Sequence, residues 1–155
     1  MKIMKINYNL TFIQLRIFSA LILSFLSFSC NENKLNVLVY QYELEKIIVN
    51  DLSLNDQIIV IPGEGCGGCI SDATSFVIEN IAFLDRTIVI FTGVGDKKIL
   101  RSRLSKIINY PNLYFDDDNY LMSDNLKSIY PYVINLENGK IKIIEEFDKN
   151  KIRKT

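Results

Sequence analysis

Two kinds of apolar pattern alternate along this chain. Ile58-Ile59-Val60-Ile61, within Gln57 to Pro62, and Ile88-Val89-Ile90-Phe91, within Thr87 to Thr92, are short unbroken apolar runs. Runs of that length predict strands buried on both faces of a sheet. Elsewhere the apolar residues recur every three or four positions. Ile70, Ala73, Val77, Ile81 and Leu84 put one apolar face on a helix from about Cys66 to Leu84. Ile99, Leu100, Leu104, Ile107 and Ile108 mark a second helix, with Asp96 as its cap. Val37, Tyr40, Leu44 and Ile47 suggest a third over Asn36 to Asn50, although Val-Leu-Val-Tyr also reads as a strand. Leu113-Tyr114-Phe115 is a brief strand, and Asn119 to Ser128 has room for a short helix. Tyr132 to Leu136 and Lys140 to Ile144 form a hairpin across Glu137-Asn138-Gly139, because Asn-Gly supplies the positive φ angles of a tight turn. Strands alternating with helices, then closing in a hairpin, imply a three-layer α/β sheet.

The 155 residues hold one domain, and residues 1–29 stand apart from it. Lys2, Lys5 and Arg16 precede an uncharged stretch of apolar and small residues, Ile17 to Ser29, in the layout of a secretory signal. Leu26-Ser27-Phe28-Ser29-Cys30 resembles the lipobox of bacterial lipoproteins, with Ser in the place usually held by Leu. That resemblance implies lipidation of Cys30 and anchoring to a bacterial membrane on its periplasmic side or at the cell surface. An uncleaved anchor helix and a cleaved soluble export are the competing readings, and all three put the domain outside the cytoplasm. The expected organisation is a signal over 1–29, a lipid-anchor cysteine, tether and N-terminal helix over 30–56, and the main domain over 57–155.

Three of the 18 basic residues and none of the 18 acidic ones lie before Cys30, so the remainder carries a net charge of −3. A mildly acidic body has no electrostatic footprint for nucleic acid. Gly93-Val94-Gly95 lacks the third glycine of a dinucleotide loop, and Asp116-Asp117-Asp118 lacks the spacing of a calcium loop. The first reads as a turn, the second as a solvated turn.

The chemistry concentrates in Cys66-Gly67-Gly68-Cys69. The pair lies where a strand hands over to a helix, and outside the cytoplasm a disulfide persists. On a first helical turn Cys66 sits beside unsatisfied N–H groups and the positive end of the helix dipole, which lowers a thiol below the ~8.5 of a free cysteine. Cys66 is therefore the expected nucleophile and Cys69 the resolving thiol. Glu64 is the nearest carboxylate for a proton relay to Cys69. A structural zinc site wants four Cys or His, whereas the chain has three Cys and no His. A two-thiolate copper(I) site stays open as the alternative.

In order, these features resemble the thioredoxin superfamily, in its membrane-anchored TlpA-like and redoxin branches. The likeness rests on strand, Cys-Gly-Gly-Cys and helix, then Tyr130-Pro131, then the hairpin, and covers roughly Gln57 to Glu146. It implies a thioredoxin-like three-layer sandwich, a central mixed sheet with flanking helices, and thiol–disulfide oxidoreductase activity without a cofactor or bound metal. It implies that Pro131 follows a cis bond facing the dithiol, and that the backbone of Tyr130 holds an incoming polypeptide. The implied partners are cysteine-containing exported proteins or a membrane electron donor. The alternative is a non-catalytic lipoprotein of this fold that binds a partner or copper. Three departures stand out. Gly65 replaces the usual aromatic residue before the first cysteine, and with Gly67 and Gly68 it reads as an open, flexible lip. The buried acid upstream is missing from Ile58 to Ile61. The closing helix is absent or reduced to Phe147–Thr155.

Overall fold

The computed structural model describes residues 32–49, 51–124 and 126–152, with side chains from Asn36 onward. The expectations for residues 1–29 and for Cys30 lie outside the described residues. Val37–Thr155 form one compact unit.

A mixed five-stranded sheet runs through the middle of the unit. Its strands are β1 (Gln57–Pro62), β2 (Thr87–Thr92), β3 (Leu113–Asp116), β4 (Tyr132–Glu137) and β5 (Lys140–Glu146). The spatial order is β3-β2-β1-β4-β5. β1 and β2 are parallel, as are β2 and β3, while β4 runs antiparallel to both β1 and β5. The three described α-helices are α1 (Glu32–Ile47), α2 (Gly67–Asn80) and α3 (Lys97–Arg103). This is a mixed α/β fold, compatible with the sandwich the resemblance implies.

Strand alternation explains why β1 and β2 are apolar throughout, because successive side chains enter opposite cores. Ile58, Val60, Ile88, Ile90 and Ile134 pack on one face with Leu44, Ile48 and Leu52. Ile59, Ile61, Val89, Phe91 and Val133 pack on the other with Ala73, Phe76 and Val77 of α2, then Leu104 and Ile107. The sheet thus lies between α1 on one side and the α2 and α3 segments on the other. α1 contributes fully buried Leu44 to the main core, so the domain takes in this helix and does not start at β1. Tyr40 ties it to the loop before β4, donating to the Leu126 carbonyl at 2.8 Å.

Several boundaries moved. α1 begins four residues before the expected start and is a helix, not a strand. α2 ends at Asn80 and gives way to a 3₁₀ turn, Ile81–Phe83. α3 stops at Arg103, and Leu104 and Ile107 reach the core from turns. Its cap is as expected: Asp96 accepts from the Ile99 N–H at 2.9 Å. Between Asn119 and Ser128 the described residues hold a single 3₁₀ turn, Tyr120–Met122. The hairpin turns on two residues, Asn138 and Gly139, with φ of 54° and 75°. Beyond β5 the described residues form a turn, not a closing helix.

Asp116 is a correction to the solvated-turn reading. It is 3% exposed. Its carboxylate accepts from the Thr92 hydroxyl at 2.7 Å and from the Tyr120 and Leu121 N–H groups, both at 2.9 Å. Three donors make burial of a carboxylate tolerable. Asp117 and Asp118 are exposed as expected, and Asp117 pairs with Lys97 at 2.7 Å.

Candidate active site

β1 is the middle strand of the sheet, and its C-terminal end delivers the chain to the dithiol. Gly63 turns it outward, and its N–H donates to the Thr92 carbonyl at 2.7 Å. A Cβ at Gly63 would lie 2.6 Å from the Gly93 oxygen, so two loops meet there at backbone contact distance. Cys66 then caps α2: its Sγ accepts from the Cys69 N–H at 3.4 Å. The Cys66 and Cys69 sulfurs are joined as a disulfide, with Cα atoms 5.3 Å apart. Both residues are partly exposed.

The segment before β4 closes on this turn. The Cys66 N–H donates to the Ile129 carbonyl at 2.9 Å. Gly65, at φ +137°, leaves room for that carbonyl: a Cβ there would stand 2.3 Å from the Ile129 oxygen. The absent aromatic residue therefore has a steric cause, since the Ile129 backbone occupies the place where a side chain would begin. Gly67 and Gly68 differ, with nothing within 4 Å of a Cβ at either. The lip is open at two glycines and closed at the third.

Pro131 is buried, and with exposed Tyr130 it lines the same cleft as Cys69. No described peptide bond is cis, so Tyr130-Pro131 is trans, against the expectation. Trans is the intrinsically preferred isomer by about 0.5–1 kcal/mol. The backbone of Tyr130 is also engaged locally. The Ser128 hydroxyl accepts from the Tyr130 N–H at 3.1 Å and donates to the Tyr130 carbonyl at 2.8 Å. That N–H is thus satisfied within its own loop, and the carbonyl keeps one lone pair.

Glu64 is not brought to Cys69. Its carboxylate points to Gly95, 3.8 Å from where a Cβ would stand, and it takes no part in lining the cleft. The carboxylates that share the cleft with Cys69 are Asp72 and Glu79 from α2, Glu146 from the end of β5, and Asp148 just beyond. Sequence reasoning missed all four. A signal existed for two of them, because Cys69, Asp72 and Glu79 fall at intervals of three and seven on one helical face. For Glu146 and Asp148 there was none, because their approach depends on the path of the chain after the hairpin.

The cleft encloses about 500 Å³. Phe76 and Phe147 both line it, and their rings meet edge-to-face at 5.6 Å. Among the described residues no group of three or more Cys, Asp or Glu is arranged to hold a metal ion. No described helix is long and apolar enough to cross a membrane. No family model matches the chain, and no curated protein or solved structure matches it.

Proposed function

We propose that this chain is a thiol–disulfide oxidoreductase of thioredoxin-like fold, held outside the cytoplasm by lipid on Cys30. The observation that carries the reading is the N-terminal cap of α2. Cys66 Sγ already accepts a helix N–H while disulfide-bonded, and the reduced thiolate would inherit that donor and the helix dipole. A structural staple needs no such placement, nor partial exposure at the edge of a cleft.

In the reducing direction the Cys66 thiolate attacks one sulfur of a partner's disulfide, and the other leaves as thiolate. Cys69 gives up its proton, attacks Cys66 Sγ and releases the second partner thiol. Two electrons pass from the dithiol to the partner, and the protein ends as the Cys66–Cys69 disulfide. Oxidation of a partner is the same sequence reversed. The partners of this reading are cysteine-containing exported proteins or a membrane electron donor.

Cys69→Ser removes the resolving thiol and should accumulate mixed disulfides through Cys66, seen as reducible high-mass bands after acid quench. Cys66→Ser should accumulate none. If Cys69→Ser captures no thiol partner, the oxidoreductase reading falls and a partner-binding module takes its place.

A further inference from the structure

The cleft beside Cys69 has two carboxylate walls over an apolar floor. Asp72 and Glu79 stand on exposed positions of α2, while Glu146 and Asp148 face them from the chain leaving β5. One cation, Lys149, shares the space with these four. Asp72, Glu79 and Glu146 make no ion pair among the described residues, so their charge is not cancelled locally; Asp148 accepts from Asn150. Phe76 and Phe147 supply the floor.

We propose that this cleft selects the substrate of the dithiol: an extended polypeptide segment carrying Lys or Arg on one side of its cysteine. The inference rests on the oxidoreductase reading and gives it a substrate class. Its geometry follows from α2. The partner's cysteine bonds to Cys66, the cap of the helix; six residues put Asp72 about 9 Å along the axis from it, and thirteen put Glu79 about 20 Å along it. An extended peptide advances ~3.3 Å per residue. A peptide cysteine bonded to Cys66 therefore sets the third residue after it beside Asp72 and the sixth beside Glu79. The aliphatic stems of Lys and Arg suit the apolar floor while their heads meet the carboxylates. An acidic segment meets like charges within one Debye length, ~10 Å at 0.1 M salt.

The test uses the whole chain in detergent, reduced beforehand and freed of reductant. It is mixed with symmetric disulfides of acetyl-Cys-Gly-Gly-Xaa-Gly-Gly-Xaa-amide, in which Xaa is Lys, Ser or Glu. Each turnover converts the protein dithiol to its disulfide and one peptide disulfide to two peptide thiols. Rates are divided by those of the same peptides with dithiothreitol, which removes intrinsic reactivity. Lys should exceed Glu by at least about tenfold at low ionic strength, with Ser between, as expected for electrostatically steered encounter. The spread should collapse at 0.5 M salt, which needs no variant. Asp72→Lys with Glu79→Lys, both at exposed helix positions, should reverse the order. Equal rates for the three peptides at low salt would overturn the proposal while leaving the oxidoreductase reading intact. No exchange with any peptide would overturn both.

Discussion

Adding one methyl group at Gly65 tests the closure of the active-site turn. In Gly65→Ala the new Cβ would sit 2.3 Å from the Ile129 oxygen and 2.8 Å from its carbonyl carbon and Cα. These are backbone atoms and cannot rotate away, so the Ile129 segment must withdraw. Its withdrawal breaks the 2.9 Å bond from the Cys66 N–H, worth about 1 kcal/mol. Holding a non-glycine residue at φ +137° adds roughly 1–3 kcal/mol. The sum, about 2–4 kcal/mol, is a large share of a typical stability of ~5–15 kcal/mol. With a urea slope near 2 kcal/mol/M, the unfolding midpoint should fall by roughly 1–2 M. Gly68→Ala is the control on the same turn. Its Cβ meets nothing within 4 Å and its backbone is helical. That substitution should stabilise by about 0.5–1 kcal/mol, through the lower entropy of the unfolded chain. If Gly65→Ala unfolds within ~0.5 kcal/mol of the parent, the closed turn is wrong.

Three further expectations concern the core behind the site. Asp116→Ala strands the Thr92 hydroxyl and two N–H groups, so urea unfolding should show a loss of roughly 2–4 kcal/mol. The buried Tyr132 hydroxyl makes no hydrogen bond of good geometry among the described residues; its neighbour is the Tyr40 hydroxyl, which itself donates to Leu126. Tyr132→Phe should therefore be neutral or stabilising by up to about 1 kcal/mol, and a loss larger than that would contradict the geometry. Burial also pushes the Tyr132 phenol well above its ordinary 10.0, because it disfavours the ionised form. Stability carried this way is complete below pH 10 and is lost as pH rises beyond it. Unfolding free energies measured from pH 8 to 11 should fall only above about pH 10, and less steeply in Tyr132→Phe.

Local patterns in the sequence were reliable because local physics decides them. β1 and β2 could be read from unbroken apolar runs, α2 from its three-to-four spacing, and the hairpin from Asn138-Gly139. Asp96 announced the start of α3 correctly, whereas its end was overextended. Leu104 and Ile107 keep helical spacing but reach the core from turns, so periodicity alone overstated the helix. The features misread are long-range. Gly65 looked like part of a flexible lip, and what fixes it is a carbonyl 64 residues later in the chain. Asp116 sat in an acidic triplet of surface character, yet its partner Thr92, 24 residues earlier, reaches it only when β2 and β3 pair. Cys66 and Cys69 were visible at once, because their spacing on a helix start is itself the chemistry. The cleft beside them was not, since one wall of it is built by Glu146 at the end of β5 and by Phe147 to Asn150 beyond it.

The central claim is that Cys66 and Cys69 form a working redox couple, and the most direct test is its reduction potential. The whole chain in detergent would be equilibrated in graded thiol buffers, quenched with acid, and scored by alkylation of the two cysteines. The account predicts a reversible two-electron couple within the ~−120 to −270 mV span of disulfide oxidoreductases. A disulfide that stays closed well below about −300 mV would contradict it, for that is the behaviour of a structural staple.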